Sequence, residues 1–291
     1  MTVASSMIDY DRLEVLKPSL SESFRSAQPF RWLLVDGFLR EPWPERLHNE
    51  FGEVVERSGK QADAPKKHKH VLRKIGIPKL EVMNEVHRQF FEAIQEPRFL
   101  SYLEDVTGIR PIHADSELNG GGLHEIHAGG YLNVHTDFNF HPISGLHRRL
   151  NILYYLNPVW EDAWNGKLEL WPADLSGPFA EIAPVMNRMA IFETSEISFH
   201  GHPKRLTPPP GVTRRSLATY YYSDWPSGLE RRAKTNYRLV PWQVKALKHD
   251  ISGLRAQGLS DEQVIDALSD RYQPNDVVKV LRSLADVAQP A

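Results

Sequence analysis

The chain of 291 residues has no cysteine. That absence excludes disulfides, thiolate metal sites and a cysteine nucleophile, and it leaves His, Asp and Glu as the only side chains able to hold a metal. Long apolar runs are also missing, because no 18 consecutive apolar residues occur, so no membrane-spanning helix is expected. Charge of one sign is not in excess either. Lys and Arg number 35 against 37 Asp and Glu, a formal net charge of -2, which offers no general attraction to nucleic acid or to a membrane surface. The opening Met-Thr-Val-Ala-Ser-Ser-Met-Ile-Asp-Tyr lacks the basic and apolar regions of a secretory signal, so a cytoplasmic location is the expectation.

What is present is ordinary globular material, with 41% hydrophobic and 25% charged residues, enough to bury a sizeable core. After a polar, mixed stretch to about residue 28, Pro29 to Leu39 reads as a buried strand and a turn. Apolar residues at helical spacing predict an amphipathic helix from Pro42 to Arg57 and a second from Val82 to Gln95. Between them stands one basic cluster, Lys66, Lys67, His68, Lys69, His70, Arg73 and Lys74. It reads as a solvated loop, with a rim facing an acidic substrate as the alternative.

From His113 to Asp224 the texture changes to short apolar runs separated by Gly and Pro, without intervening helices. That rhythm predicts a mainly β fold with flanking helices, its core a double-stranded β-helix, the cupin-like jelly roll. Beyond Pro241 helical spacing returns, and Ser260-Asp261-Glu262-Gln263 has the form of a capping box. The expected organisation is one domain over 1–240, with helix and strand support at about 25–110 and the roll at about 111–226. A small helical appendage follows at 241–291, suited to a homodimer or to contact with a partner.

The residues for chemistry gather around Tyr131 to Asp137. His135 and Asp137, two apart on an extended segment, point to one face. His-x-Asp alone is a weak motif, and His113-Ala114-Asp115 is a second copy, but only the later pair follows Gly129-Gly130 into a strand. A third ligand would come from Ser198-Phe199-His200-Gly201-His202, where spacing does not separate His200 from His202. Two His and one carboxylate with open opposite positions suit non-haem Fe(II) oxygenases. Arg214 opens the apolar strand that follows, and a cation there would be uncompensated unless an anion met it. Asn139, His141, Arg148, Trp164 and Trp225 are candidates for the substrate rim, against plain loop or packing roles.

From Leu123 to Trp225 the chain resembles the 2-oxoglutarate and Fe(II)-dependent dioxygenases of the prolyl hydroxylase type, which include the hypoxia-factor prolyl hydroxylases. The resemblance lies in Gly-Gly-Tyr before His135-x-Asp137, in Leu153-Tyr154-Tyr155-Leu156-Asn157, in the Gly166 to Leu170 hairpin, and in Arg214-Arg215-Ser216-Leu217-Ala218. It implies iron at His135, Asp137 and His200, and the distal carboxylate of 2-oxoglutarate at Arg214 and Tyr155. Arg214 is preferred to Arg215, which strand alternation turns outward. His127 falls where the hypoxia-factor enzymes carry a cosubstrate-binding tyrosine. The implied activity is hydroxylation of a C–H bond of a prolyl or other amino-acid residue, free or in a peptide or protein, with release of succinate and CO2. Fe(II), 2-oxoglutarate and O2 are the implied cofactors, with ascorbate in support. Asp137 argues for hydroxylation, since a halogenating branch has a small residue at that position. Two rival readings are a non-catalytic cupin-like metal or small-acid binding protein and a zinc hydrolase. The latter leaves Arg214 without a role.

Overall fold

The structure, a computed structural model, describes residues 6–63 and 69–288. Lys66, Lys67 and His68 of the basic cluster lie outside them. The polar, mixed N-terminal stretch, to which no element was assigned, contains helix α1 (Tyr10–Ser26), capped by the Asp9 side chain, which accepts from the Arg12 amide. Its Tyr10, Leu13, Leu20 and Phe24 are buried. Strand β1 (Trp32–Asp36) follows as expected. The single helix expected over Pro42 to Arg57 is instead two, α2 (Trp43–Asn49) and α3 (Phe51–Ser58). Glu50 at the break is held by the Asn84 side-chain amide, which donates to its carbonyl at 3.1 Å. That contact comes from 34 positions away.

The basic loop continues into a strand, β2 (Val71–Ile77). Helix α4 (Glu85–Ala93) buries Val86, Phe90 and Phe91, and α5 (Pro97–Thr107) completes the helical layer. Phe38, Phe90, Phe99, Tyr154, Leu217 and Tyr221 belong to one core cluster, so the helices and the outer face of the roll share their packing. Each such fully buried aromatic contributes roughly 1.5–3 kcal/mol.

The roll comprises β3 (His113–Ala114), β4 (Gly122–Thr136), β5 (His147–Tyr155), β6 (Leu168–Trp171), β7 (Ala180–Ile182), β8 (Arg188–Glu193), β9 (Phe199–His202), β10 (Arg214–Ser223) and β11 (Asn236–Tyr237). They pair in the order β1-β8-β5-β10-β4-β9-β6-β7. All ladders between these strands are antiparallel. Gly129-Gly130, expected to turn the chain between two strands, lies inside β4 as an irregularity. Residues up to Ile126 pair with β10, while Leu132 and His135 pair with β9. Gly129 has φ +80°, and a Cβ on Gly130 would sit 2.6 Å from Ile126 Cγ2 and 2.8 Å from the Leu72 carbonyl oxygen. Only glycines let the strand bend there and join the two layers.

Behind the roll, α6 (Pro241–Ala256), α7 (Asp261–Leu268) and α8 (Pro274–Ala288) gather Leu247, Ile251, Val264, Leu268, Val277 and Leu281 into a cluster of their own. The expected capping box at Ser260 and Gln263 is formed. No helix among the described residues is long and apolar enough to cross a membrane.

Candidate metal centre and anion pocket

Register decides which side chains meet. His135 on β4 stands opposite His200 on β9, and Asp137 follows just past the end of β4. Each imidazole is aimed by its own strand. His135 Nδ1 donates to the Asn133 carbonyl at 2.9 Å, and His200 Nδ1 donates to the Ser198 carbonyl at 3.0 Å. A carbonyl only accepts, so both protons are on Nδ1 and both Nε2 lone pairs face inward. They lie 3.5 Å from Asp137 Oδ1 and 3.6 Å from its Oδ2, respectively. Donor atoms of the three residues fall within 4.8 Å of one another, and no other such cluster occurs among the described residues. Two neutral imidazoles and one carboxylate converging from one side fit a divalent ion of the iron type.

Electrostatics prepares the donors. Burial, then the neighbouring His135, pushes the His200 pKa down to about 3, so its ring is neutral. Burial alone would raise the Asp137 pKa, but Arg148 and the two histidines outweigh it and hold the carboxyl well below its usual range. Arg148 is 1% exposed. Its Nη2 donates to Asp137 Oδ2 at 2.9 Å, the Asn151 amide donates to the same oxygen at 2.8 Å, and the guanidinium carbon lies 3.4 Å from the Tyr220 ring centroid. Arg148, a candidate for the substrate rim, therefore stands against the carboxylate.

The same cavity, about 280 Å³, is also lined by Arg214 and His202. Arg214 Nε donates to the Gly166 carbonyl at 2.7 Å, and its Nη2 lies 3.4 Å from the Tyr155 hydroxyl oxygen. No carboxylate among the described residues pairs with it, and burial pushes its pKa down. His202 is 2% exposed, and neither of its ring nitrogens has a hydrogen-bond partner. A buried cation without an anion beside a buried imidazole without partners is the environment a carboxylate would complete.

Other candidates lie apart from this cavity. His127 turns outward, its Nε2 3.1 Å from Glu125 Oε2, because alternation gives the inner face to Ile126. The cosubstrate contact assigned to it lacks the geometry. Arg215 is outward too, with its Nε donating to Glu125 Oε1 at 3.1 Å. Trp164 packs against Trp160, and Trp225 against Phe140 and His147. Asn139 braces a loop by donating to the Glu230 carbonyl and accepting from the Arg232 amide. His141 Nδ1 accepts from the Ile143 and Ser144 amides, and its Nε2 lies 3.2 Å from Asp115. The second His-x-Asp copy diverges, as His113 faces Asp224 and Asp115 caps the turn at Glu117 and Asn119.

Sequence reasoning missed Asn151 and Tyr237, whose ring lies 5.1 Å from that of His135. An asparagine within the apolar run Leu150 to Leu153 was the available signal for the first. Tyr237, on a two-residue strand, carried none.

Residues 121–222 match the model of the 2OG-Fe(II) oxygenase superfamily. Comparison with curated proteins finds no match. Among solved structures, a prolyl 4-hydroxylase from Phytophthora capsici is similar, with 16% identity, 97% of this chain and 93% of that chain covered, and a TM-score of 0.55. A Trichoplax adhaerens prolyl hydroxylase, solved with a hypoxia inducible factor oxygen degradation domain peptide, is 16% identical over 73% of this chain and 91% of that one, with a TM-score of 0.52. Identities this low speak for the fold. The matched segment, by contrast, runs from β4 to β10 and contains the three converging histidine and aspartate side chains and Arg214.

Proposed function

We propose that the chain is an Fe(II)- and 2-oxoglutarate-dependent hydroxylase acting on a C–H bond of an amino-acid residue, prolyl or other, whether free or within a peptide or protein. One observation carries the reading: a cluster of two histidines and an aspartate able to hold a metal and a buried arginine with no carboxylate partner line one cavity. His135, Asp137 and His200 would hold the ion. Bound there, iron with 2-oxoglutarate and dioxygen supplies oxidation of a C–H bond to an alcohol, with release of succinate and CO2. Arg214, Tyr155 and His202 would hold the distal carboxylate of the keto acid. Arg148 and Asn151 keep Asp137 ionised and in one orientation.

The peptide complex of the Trichoplax relative supports an amino-acid residue as the target class, and the superfamily's chemistry supports the cofactors. Residues 1–240 act as the catalytic unit and 241–291 as its appendage. A cytoplasmic location belongs to the same reading, because reduced iron suits a reducing compartment.

The test is succinate formation from 2-oxoglutarate with Fe(II) and oxygen. Wild-type protein should form succinate, while His135→Ala and Asp137→Ala fall to background. Equal turnover by all three would sink the assignment. Metal binding without succinate would favour a non-catalytic binding protein.

A further inference from the structure

The inner cavity is small for the work assigned to it. Ligand sites span roughly 300–1,000 Å³, this one measures about 280 Å³, and the reading above already places a five-carbon diacid in it. The body of a substrate must therefore extend outside. A second cavity of about 590 Å³ adjoins the first and shares Thr235 and Tyr237 with it. One wall is β11, which pairs with β4 at the metal site itself, Tyr237 opposite His135 and Asn236 opposite Thr136. The facing wall is the first turn of α8 with Gln273 just before it, and His70 stacks on Tyr237 at 4.3 Å between the two walls.

This outer cleft is polar, and two of its groups are unsatisfied. Asp276 is 8% exposed, yet its Oδ2 has no hydrogen-bond partner; His70 Nε2 stands 3.7 Å from it, an ion pair only when that ring is protonated. The side-chain Nε2 of Gln273 is likewise buried and without a partner. An orphaned carboxylate oxygen calls for a donor, preferably cationic, and an orphaned amide N–H calls for an acceptor. Lys234 and Lys279 line the same cleft and add positive charge for an anionic acceptor. Peptide bonds on both sides of the reacting residue would remove the two charges that these groups match.

We propose that the cleft between β11 and α8 binds the ammonium and carboxylate groups of a free α-amino acid, with Asp276 taking the ammonium and Gln273 with the two lysines taking the carboxylate, while the side chain passes Tyr237 toward the metal. This rests on the hydroxylase reading above and narrows its substrate from any amino-acid residue to a free zwitterion. The position of the cleft gives it a direct bearing on reaction. A side chain entering past Tyr237 arrives beside His135, whose ring lies 5.1 Å from that of Tyr237.

The full-length iron-loaded protein is assayed for succinate without substrate, then with each of the free L-amino acids, and with the N-acetyl derivative and the carboxamide of any that stimulates. At least one free amino acid should raise succinate formation and yield an oxygen-shifted product, and both derivatives should lose that stimulation. Asp276→Asn, nearly isosteric, should raise KM for that amino acid by about tenfold or more, the loss of one charge-assisted contact. Lys234→Ala, at an exposed position, should raise KM for the free acid. If no free amino acid stimulates a protein that does form succinate alone, or if an N-acetyl derivative stimulates equally, or if Asp276→Asn leaves KM unchanged, the inference is overturned and the hydroxylase reading stands. If wild type forms no succinate under any condition, the hydroxylase reading falls and takes the inference with it.

Discussion

Arg148 shows how much a single buried side chain carries. Wholly enclosed, it neutralises Asp137 and stacks on Tyr220. Arg148→Met keeps the volume and stacking surface but leaves a buried carboxylate facing two histidines. Removing one partner of such a pair costs about 3–5 kcal/mol, and loss of a supporting contact to a ligand weakens metal binding by about 10–100-fold. Denaturant unfolding and a metal titration should show both losses; unchanged metal affinity would refute the role. Glu169, 7% exposed on β6, makes a second case. Burial, opposed by the Trp171 indole N–H at 2.9 Å, raises its pKa from 4.5 to about 7. The folded state then holds a proton that the unfolded state gives up between those values. Stability should therefore fall as pH rises from about 4.5 to about 7 and level off above it. Glu169→Gln should flatten that slope and add about 1–3 kcal/mol at pH 8, read from thermal unfolding across pH. A wild-type curve without that decline would refute it. At this scale the sequence was informative where chemistry dictates residue type. His135, Asp137 and Arg214 were legible because few other side chains do their work, and His200 because a family resemblance separated it from His202. His127 was misplaced because strand parity, not residue type, decides which way it faces.

At the level of elements, β4 is the decisive piece. Its bend at Gly129-Gly130 passes one strand through both layers, so that Ile126 faces β10 and His135 faces β9. Gly130→Ala would drive a methyl into Ile126 and two backbone carbonyls. We expect a loss of about 1–3 kcal/mol, measured by denaturant unfolding, and weaker metal binding as the His135–His200 register slips; a variant as stable as wild type would contradict the bend's role. Read alone, the glycines gave a turn between two strands, since a turn and a bulge use the same residues and only the partners β2 and β9 distinguish them. Helix α1 escaped notice because its four buried positions are scattered among charges. Strand β2 did so because Arg73 and Lys74 interrupt it; Arg73 is drawn to Asp63 and to the Ala128 carbonyl, partners found only in the fold. Strands β5, β6, β7, β8 and β10 were legible as short apolar runs, whereas β3 and β11, two residues each, were not.

Across the whole molecule, the roll and the C-terminal helices have separate apolar cores; Val240, at the head of α6, is buried among Val134, Trp171 and Phe199 of the roll, and polar contacts join the two parts as well. Gln243 Nε2 donates to Asn133 Oδ1 at 2.8 Å, and Asp276 stands near His70. Asn133 is the hinge of this arrangement. Its amide donates to the His70 carbonyl at 2.8 Å, its side chain reaches His70 Nδ1 at 3.2 Å, and its carbonyl receives the Nδ1 proton of His135. One residue thus orients a metal ligand with its backbone and holds helix α6 with its side chain. Occupancy of the triad and docking of the helices are then two events coupled through one asparagine. Thermodynamic reciprocity requires that whatever free energy metal binding lends to the docked helices, docked helices return to metal binding.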